Sequence, residues 1–183
     1  MNSMGTTTLM SLADFELLDA GADEVELLRG ELIRVPAPQR SHMQICRRLL
    51  VLLVAAIERS KRSNLEGRIG EVEVEMGYLV SRNPTSWLRP DVSVTHPDQP
   101  GERYYEGAPL VVFEVVSEYD TASRLNMKVA DYLSHGTAEV WVIYPDARHA
   151  WVYRGTLPEA TRETLAIHSD LLPGVEIPLD EIL

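Results

Sequence analysis

The sequence is short of positive charge, of cysteine and of long apolar runs, and each shortage excludes a class of protein. Among 183 residues, 17 Lys and Arg stand against 28 Asp and Glu, which gives a formal net charge of −11. This charge excludes a generally basic nucleic-acid coat, so any contact with DNA must be local or metal-assisted. The single cysteine, Cys46, excludes an internal disulfide and a metal cluster built from cysteines. The longest apolar run, Leu49 to Ile57, is far below the ~20 residues that span a bilayer.

Two further absences narrow the possibilities. The first residues show no basic start followed by an apolar core, so the sequence predicts no signal peptide. No glycine-rich phosphate loop of the Walker or dinucleotide type occurs. A hydrophobic fraction of 45% over 183 residues is enough for a folded core of one domain. We therefore expect a cytoplasmic protein with no membrane segment, in which residues 1–10 form a flexible leader and residues 11–183 a single domain.

Local signals predict a hairpin near the amino terminus and two long helices. Arg29-Gly30 separates two β-leaning runs, as in a β-hairpin. Ser41 begins the first long helix, whose apolar residues recur at helical spacing. Asp120 or Thr121 opens the second long helix, and Gly136, a residue type common at helix ends, follows it.

A period of two between apolar residues predicts the strands. Polar and apolar residues alternate from Gly70 to Val80, so we expect one continuous strand there. Leu110 to Val116 is apolar on both faces, as in a central buried strand. Further strands are expected at Asp91–Thr95, Glu139–Tyr144 and Ala150–Arg154, with weaker candidates at residues 163–167 and 174–179. The order of helix, three strands, helix and strand indicates a mixed α/β (α+β) domain.

Glu114 is the most informative position, because it interrupts the most apolar strand of the chain. A carboxylate buried there is unfavourable unless it is paired, hydrogen-bonded or bound to metal. By the period of two, Glu114 shares a face with Val112 and Val116. The alternatives to a functional role are that the strand lies at the edge of the sheet, or that Glu114 pairs with a Lys or Arg for structure alone.

Asp91 and Lys128 are the candidate companions of Glu114. If the strand after Pro90 neighbours the Glu114 strand, the two carboxylates converge and attract a hard divalent cation such as Mg²⁺. On a helical wheel Lys128 borders the face that packs on the sheet, so its ammonium can reach that cluster. The simpler readings are that Asp91 shapes a turn and that Lys128 extends to solvent. Cys46 has no evident partner base and is expected to be buried filler.

These residues stand in a set of motifs that resembles the putative restriction endonuclease family of the PD-(D/E)XK nuclease-like superfamily, a largely uncharacterised bacterial family common in cyanobacteria. The resemblance covers roughly residues 11–183 in one order. The matching segments are Arg29-Gly30-Glu31-Leu32, Ser41-His42, Arg89-Pro90-Asp91-Val92, Leu110 to Ser117, Asp120, Lys128 with Tyr132, Gly136, Glu139 to Pro145 and Leu172-Pro173-Gly174.

The resemblance implies a restriction endonuclease-like core, a central mixed sheet flanked by helices, together with a nuclease site. Asp91 and Glu114 match the two metal-binding acids, for one or two ions of Mg²⁺ or Mn²⁺, and Lys128 matches the catalytic lysine. The superfamily's usual lysine position is Val116 here, which is a departure. Glu31 and His42 match accessory positions, as a further metal ligand and as a phosphate or water contact respectively.

DNA and a homodimer are the partners that this reading implies, since two-fold symmetry suits two cuts or a palindromic site. One alternative from another class remains open. The chain can be a non-catalytic binding or regulatory module of a defence or mobile-element system. The acidic composition favours this alternative, as does the segment Ser117-Glu118-Tyr119, which departs from the family's Ser-Pro-Ser.

Overall fold

The computed structural model describes residues 9–18, 24–61, 69–155 and 159–183. The helices of this part of the chain are α1 (Leu12–Glu16), α2 (Arg40–Lys61), α3 (Ala122–Ser134) and α4 (Leu179–Ile182). The strands are β1 (Glu24–Leu28), β2 (Glu31–Val35), β3 (Val72–Val74), β4 (Tyr78–Arg82), β5 (Thr85–Leu88), β6 (Val92–Val94), β7 (Tyr105–Glu106), β8 (Val111–Val115), β9 (Glu139–Tyr144), β10 (His149–Arg154), β11 (Glu159–Glu163), β12 (Ala166–His168) and β13 (Glu176–Pro178). Residues 1–8 of the predicted leader lie outside the described residues, whereas the Met10 N–H donates to the Gly30 carbonyl at 2.9 Å.

The predicted hairpin and helix ends form for the expected local reasons. Arg29 and Gly30 have φ values of 53° and 82°, so the two-residue turn between β1 and β2 is left-handed at both positions. Thr121 caps α3, because its hydroxyl accepts from the Arg124 N–H at 3.3 Å. Gly136, with φ of 111°, follows the end of α3. The helix predicted to begin at Ser41 begins one residue earlier, at the first residue of α2.

The strands form two larger sheets and a small pair. A six-stranded sheet has the order β11-β10-β9-β8-β6-β3, and a five-stranded sheet has the order β2-β1-β5-β4-β7. In the six-stranded sheet β8 and β9 run parallel, while the other neighbours are antiparallel. Strands β12 and β13 pair separately. The predicted mixed α+β fold, with an amino-terminal hairpin and a mixed sheet flanked by helices, is confirmed.

The prediction of one continuous strand from Gly70 to Val80 is wrong. Strand β3 ends at Val74, Glu75 adopts a left-handed φ of 49°, and β4 begins at Tyr78 in the other sheet. The Glu75 N–H donates to the Asp91 carbonyl at 3.2 Å, which ties the bend to the strand beside it. Gly77 lies so close to the Trp87 ring that a Cβ would collide with it. The alternation of polar and apolar residues in the sequence therefore continues through a bend, where tertiary packing interrupts the strand.

The six-stranded sheet has a hydrophobic cluster on each face. Val111, Phe113 and Val115 of β8 pack into the cluster that contains α2 and the carboxy-terminal elements. Val112 packs into the other cluster, which contains residues of α3 and of the five-stranded sheet. Because side chains alternate along a strand, Glu114 points to the α3 side with Val112. Among the described residues, no helix combines the length and apolarity needed to cross a membrane.

Candidate active site

A cavity opens where the hairpin, the start of α2, the ends of β6 and β8, and the start of α3 meet. Its acidic lining residues are Glu24, Glu26, Glu75, Asp91, Glu114 and Asp120. Its Lys and Arg residues are Arg34, Arg89, Arg124 and Lys128. Carboxylates therefore outnumber these basic side chains in the lining, as they do in the chain as a whole.

Asp91 and Glu114 meet at this cavity because their strands are neighbours. Strand β6 pairs antiparallel with β8, with Val92 opposite Phe113. Continuing this register by one residue brings Asp91 opposite Glu114. The Asp91 Oδ2 accepts a hydrogen bond from the Val115 N–H at 2.6 Å, which orients the carboxylate across the strand end. The sequence predicted that Asp91 and Glu114 converge if their two strands are adjacent, and the strands are adjacent.

Lys128 reaches the same point from α3. Its Nζ lies 2.9 Å from Oε1 and 3.2 Å from Oε2 of Glu114, and the contact with Oε2 has hydrogen-bond geometry. Both residues are buried, with 9% of Lys128 and 7% of Glu114 exposed. Lys128 therefore does not extend to solvent, and an ammonium and a carboxylate face each other in the interior.

Glu26 of β1 is the acid of this cluster that the sequence did not single out. Its Oε1 accepts from the Lys128 Nζ at 3.1 Å and from the Arg89 N–H at 2.8 Å. Only 4% of the residue is exposed. The alternation of Glu24, Val25, Glu26 and Leu27 resembles a strand with a solvated acidic face, so the local pattern carried no signal of this burial.

The two accessory candidates lie in different surroundings. His42, in the first turns of α2, lines the cavity, and its Nε2 lies 3.0 Å from Oδ1 of Asp91. The hydrogen bond to Asp91 raises the pKa of His42, against the lowering effect of burial. Glu31, in contrast, is exposed beside the hairpin turn, opposite Leu28 in the register of β1 and β2. It is not among the residues that line the cavity.

The electrostatics of the cluster favour an added cation. Burial raises the pKa of Glu114, and Asp91 and Glu26 raise it further, while Lys128 opposes the shift. Burial lowers the pKa of Lys128, but the charges of Glu114, Glu26 and Asp91 outweigh it, so the ammonium stays protonated. Two carboxylates, of Glu114 and Glu26, thus contact one ammonium in a site of low dielectric, and the charge of Asp91 acts on it from farther away. Their oxygens are the ligand type that Mg²⁺ and Mn²⁺ prefer, so the donor set fits a hard divalent ion.

The family comparison adds to this geometry. The model of the Uma2 family, described as "Putative restriction endonuclease", matches residues 12–180. The chain belongs to the Uma2 family. The family expected from the motifs is thereby confirmed. Among solved structures, a putative nuclease belonging to DUF820 from Anabaena variabilis ATCC 29413 is similar to this Uma2 chain, with a TM-score of 0.77 and 20% identity over 94% of this chain and 97% of that one. No curated protein matches the chain.

Proposed function

We propose that this protein is a Mg²⁺- or Mn²⁺-dependent endonuclease that hydrolyses phosphodiester bonds in DNA. The observation that carries the proposal is the approach of Asp91, Glu114 and Lys128 at one cavity, each from a different element of the fold. Membership of the Uma2 family supports the nuclease class. DNA as the substrate follows from the family description rather than from the charge of the chain.

The carboxylates of Asp91 and Glu114 would hold the ion. Carboxylate oxygens are the donors that such an ion prefers. When bound, a divalent ion polarises the scissile phosphate and favours hydroxide over water. Hydrolysis then forms a bond from a water oxygen to phosphorus and breaks a bond from phosphorus to a sugar oxygen, which takes up a proton.

Lys128 and its neighbours supply the remaining functions in this proposal. The ammonium of Lys128 donates hydrogen bonds, so it can orient the attacking water and offset negative charge on the phosphate. Glu26 also accepts a hydrogen bond from that ammonium and so restrains its position. His42 borders the cavity and would contact water or phosphate. Glu31, exposed and outside the cavity lining, has no role in the proposal.

The departure of Ser117-Glu118-Tyr119 from the family's motif favours the alternative of a non-catalytic nuclease-fold module. The Gln39 Nε2 donates a hydrogen bond to Oε1 of Glu118, which links the segment before α2 to the segment after β8. Glu118 belongs to the segment that departs from the family's motif, and the link joins two walls of the cavity. Titration calorimetry with Mn²⁺ separates the two functions. Absence of binding at millimolar Mn²⁺, together with absence of nicking, would favour the binding module. The homodimer stays a prediction from the sequence.

Nicking of supercoiled plasmid in Mg²⁺ or Mn²⁺ tests the nuclease. We expect the wild-type protein to relax the plasmid, and Glu114→Gln and Lys128→Ala to lower the rate roughly 100-fold or more, as the loss of an electrostatic contact to the reacting group does in other enzymes. Glu139→Gln is the matched control. Glu139 is also a buried glutamate of the six-stranded sheet, but it pairs with Arg154 and does not line the cavity.

Cleavage that persists in Glu114→Gln and Lys128→Ala at the rate of Glu139→Gln would refute the assignment of these residues. Circular dichroism of each variant separates a loss of chemistry from a loss of folding, because a folded variant keeps the wild-type far-ultraviolet spectrum.

A further inference from the structure

Helix α2 carries a second set of metal-binding side chains beside Asp91. His42 and Cys46 are four residues apart, so they lie on the same face of the helix, one above the other. A ring nitrogen of His42, the Sγ of Cys46 and a carboxylate oxygen of Asp91 all lie within 4.8 Å of one another. An imidazole, a thiol and a carboxylate thus surround one point.

The contacts of these three residues leave donor capacity unused. The His42 Nε2 lies 3.0 Å from the Asp91 Oδ1, while the buried Nδ1 has no hydrogen-bond partner among the described residues. Cys46 is fully buried, with its Sγ within 4.8 Å of a ligand atom of each of the other two. His42 and Asp91 border the cavity, so an ion can reach the group from that side. Because Nε2 is the ring nitrogen that faces Asp91, it is the one that would share an ion with that carboxylate.

Ligand chemistry decides which ion fits. Oxygen ligands suit Mg²⁺, whereas imidazole and thiolate favour Zn²⁺ and Co²⁺. Some zinc enzymes bind Zn²⁺ through two side chains at positions i and i+4 of a helix and a third ligand from another element. Three protein ligands leave the fourth coordination position of the ion open. We propose that His42, Cys46 and Asp91 form a binding site for a borderline divalent ion such as Zn²⁺ or Co²⁺. The site shares Asp91 with the oxygen-only pair of Asp91 and Glu114 but does not depend on cleavage.

Binding at this site has a defined proton balance. Burial raises the pKa of the Cys46 thiol, and the charges of Asp91 and Glu75 raise it further, so the sulfur carries a proton in the metal-free protein. On binding, the S–H bond breaks, the proton leaves to solvent and a sulfur–metal bond forms. No oxidant or reductant takes part.

Titration with Co²⁺ tests the site directly, because thiolate ligation of Co²⁺ produces a charge-transfer band in the near ultraviolet. The chain contains one cysteine, so any such band reports Cys46. We expect the band to saturate at one equivalent of Co²⁺ and to disappear on addition of Zn²⁺ or EDTA. Cys46→Ser should abolish it, and His42→Gln should weaken Co²⁺ binding roughly tenfold or more.

The wild-type titration alone can overturn the inference, whether or not the variants fold. Absence of the band at millimolar Co²⁺ means that Cys46 is core filler and that His42 and Asp91 form only a hydrogen-bonded pair. A band that survives in Cys46→Ser would also overturn it. Glu114→Gln should keep the band, which distinguishes the two proposals. If the protein nicks plasmid but shows no charge-transfer band, only the proposed site at Cys46 is refuted. If it shows the band but does not nick plasmid, only the nuclease is refuted.

Discussion

Replacing Lys128 with methionine should destabilise the protein strongly, because it removes the ammonium that lies between two buried carboxylates. The Lys128 Nζ lies 3.1 Å from Oε1 of Glu26 and 2.9 Å from Oε1 of Glu114. None of the three residues is more than 9% exposed, so solvent compensates little for the loss. Breaking a buried ion pair from one side costs about 3–5 kcal/mol. For a chain of this length that lowers the Tm by roughly 6–20 °C.

The loss should depend on pH with a definite sign. The folded-state pKa of Glu114 is raised by burial, and the charge of Lys128 opposes that rise. Without Lys128 the folded-state pKa of Glu114 rises further. The folded state then holds a proton on Glu114, which the unfolded state has lost, over a wider range of pH. Stability then falls as pH rises from the unfolded pKa of a glutamate to the folded one. Because the folded-state pKa of wild-type Glu114 is about 8, wild type and variant differ in this respect mainly above that pH, and the defect of Lys128→Met should be smaller near pH 7 than near pH 9.

Urea unfolding of four proteins measures this effect. Wild type and Lys128→Met give the loss, and Lys128→Met combined with Glu114→Gln should recover part of it, since one unpaired carboxylate is then neutral. Arg82→Met is the matched control, because Arg82 pairs with Glu106 on the surface, with side chains 63% and 54% exposed. Such a pair contributes at most about 1 kcal/mol. A Lys128→Met variant within about 1 kcal/mol of wild type near pH 9 would show that the reasoning is wrong.

Two further changes test the packing of the hairpin. Asp131→Asn should lower the free energy of unfolding by about 1–3 kcal/mol. The reason is that the buried Asp131 accepts hydrogen bonds from the Arg29 Nε at 2.6 Å and from the Ser86 Oγ at 2.5 Å. Thermal melts measure the loss, and an unchanged Tm would contradict this prediction. Gly30→Ala should cost more in urea unfolding than Gly155→Ala. Both glycines have positive φ, of 82° and 72°, but of the two, within the part of the chain that the structure describes, an added Cβ collides only at Gly30, with Leu9. Equal losses would rule out that contact.

The candidate site could be predicted from the sequence only where one element carried the signal. Glu114 stood out because an acid interrupts an apolar strand, and the period of two correctly assigned it to the face of Val112. Asp91 could be paired with it only on the condition that their strands were neighbours. Glu26 escaped notice because its burial depends on Lys128, which is 102 residues away in the chain. No local pattern encodes a contact of that separation.

The amino-acid sequence by itself determined the local structure of this protein, since turn residues, caps and hydrophobic period act over a few neighbours. The turn at Arg29-Gly30 and the cap at Thr121 form where those signals stand. Only the tertiary structure shows the bend at Glu75, because alternation continues through it in the sequence and the close packing of Gly77 on Trp87 involves residues apart in the chain. It also decided which acidic side chains share one cavity with His42 and Lys128, because that depends on how the hairpin and the two long helices dock on the sheet.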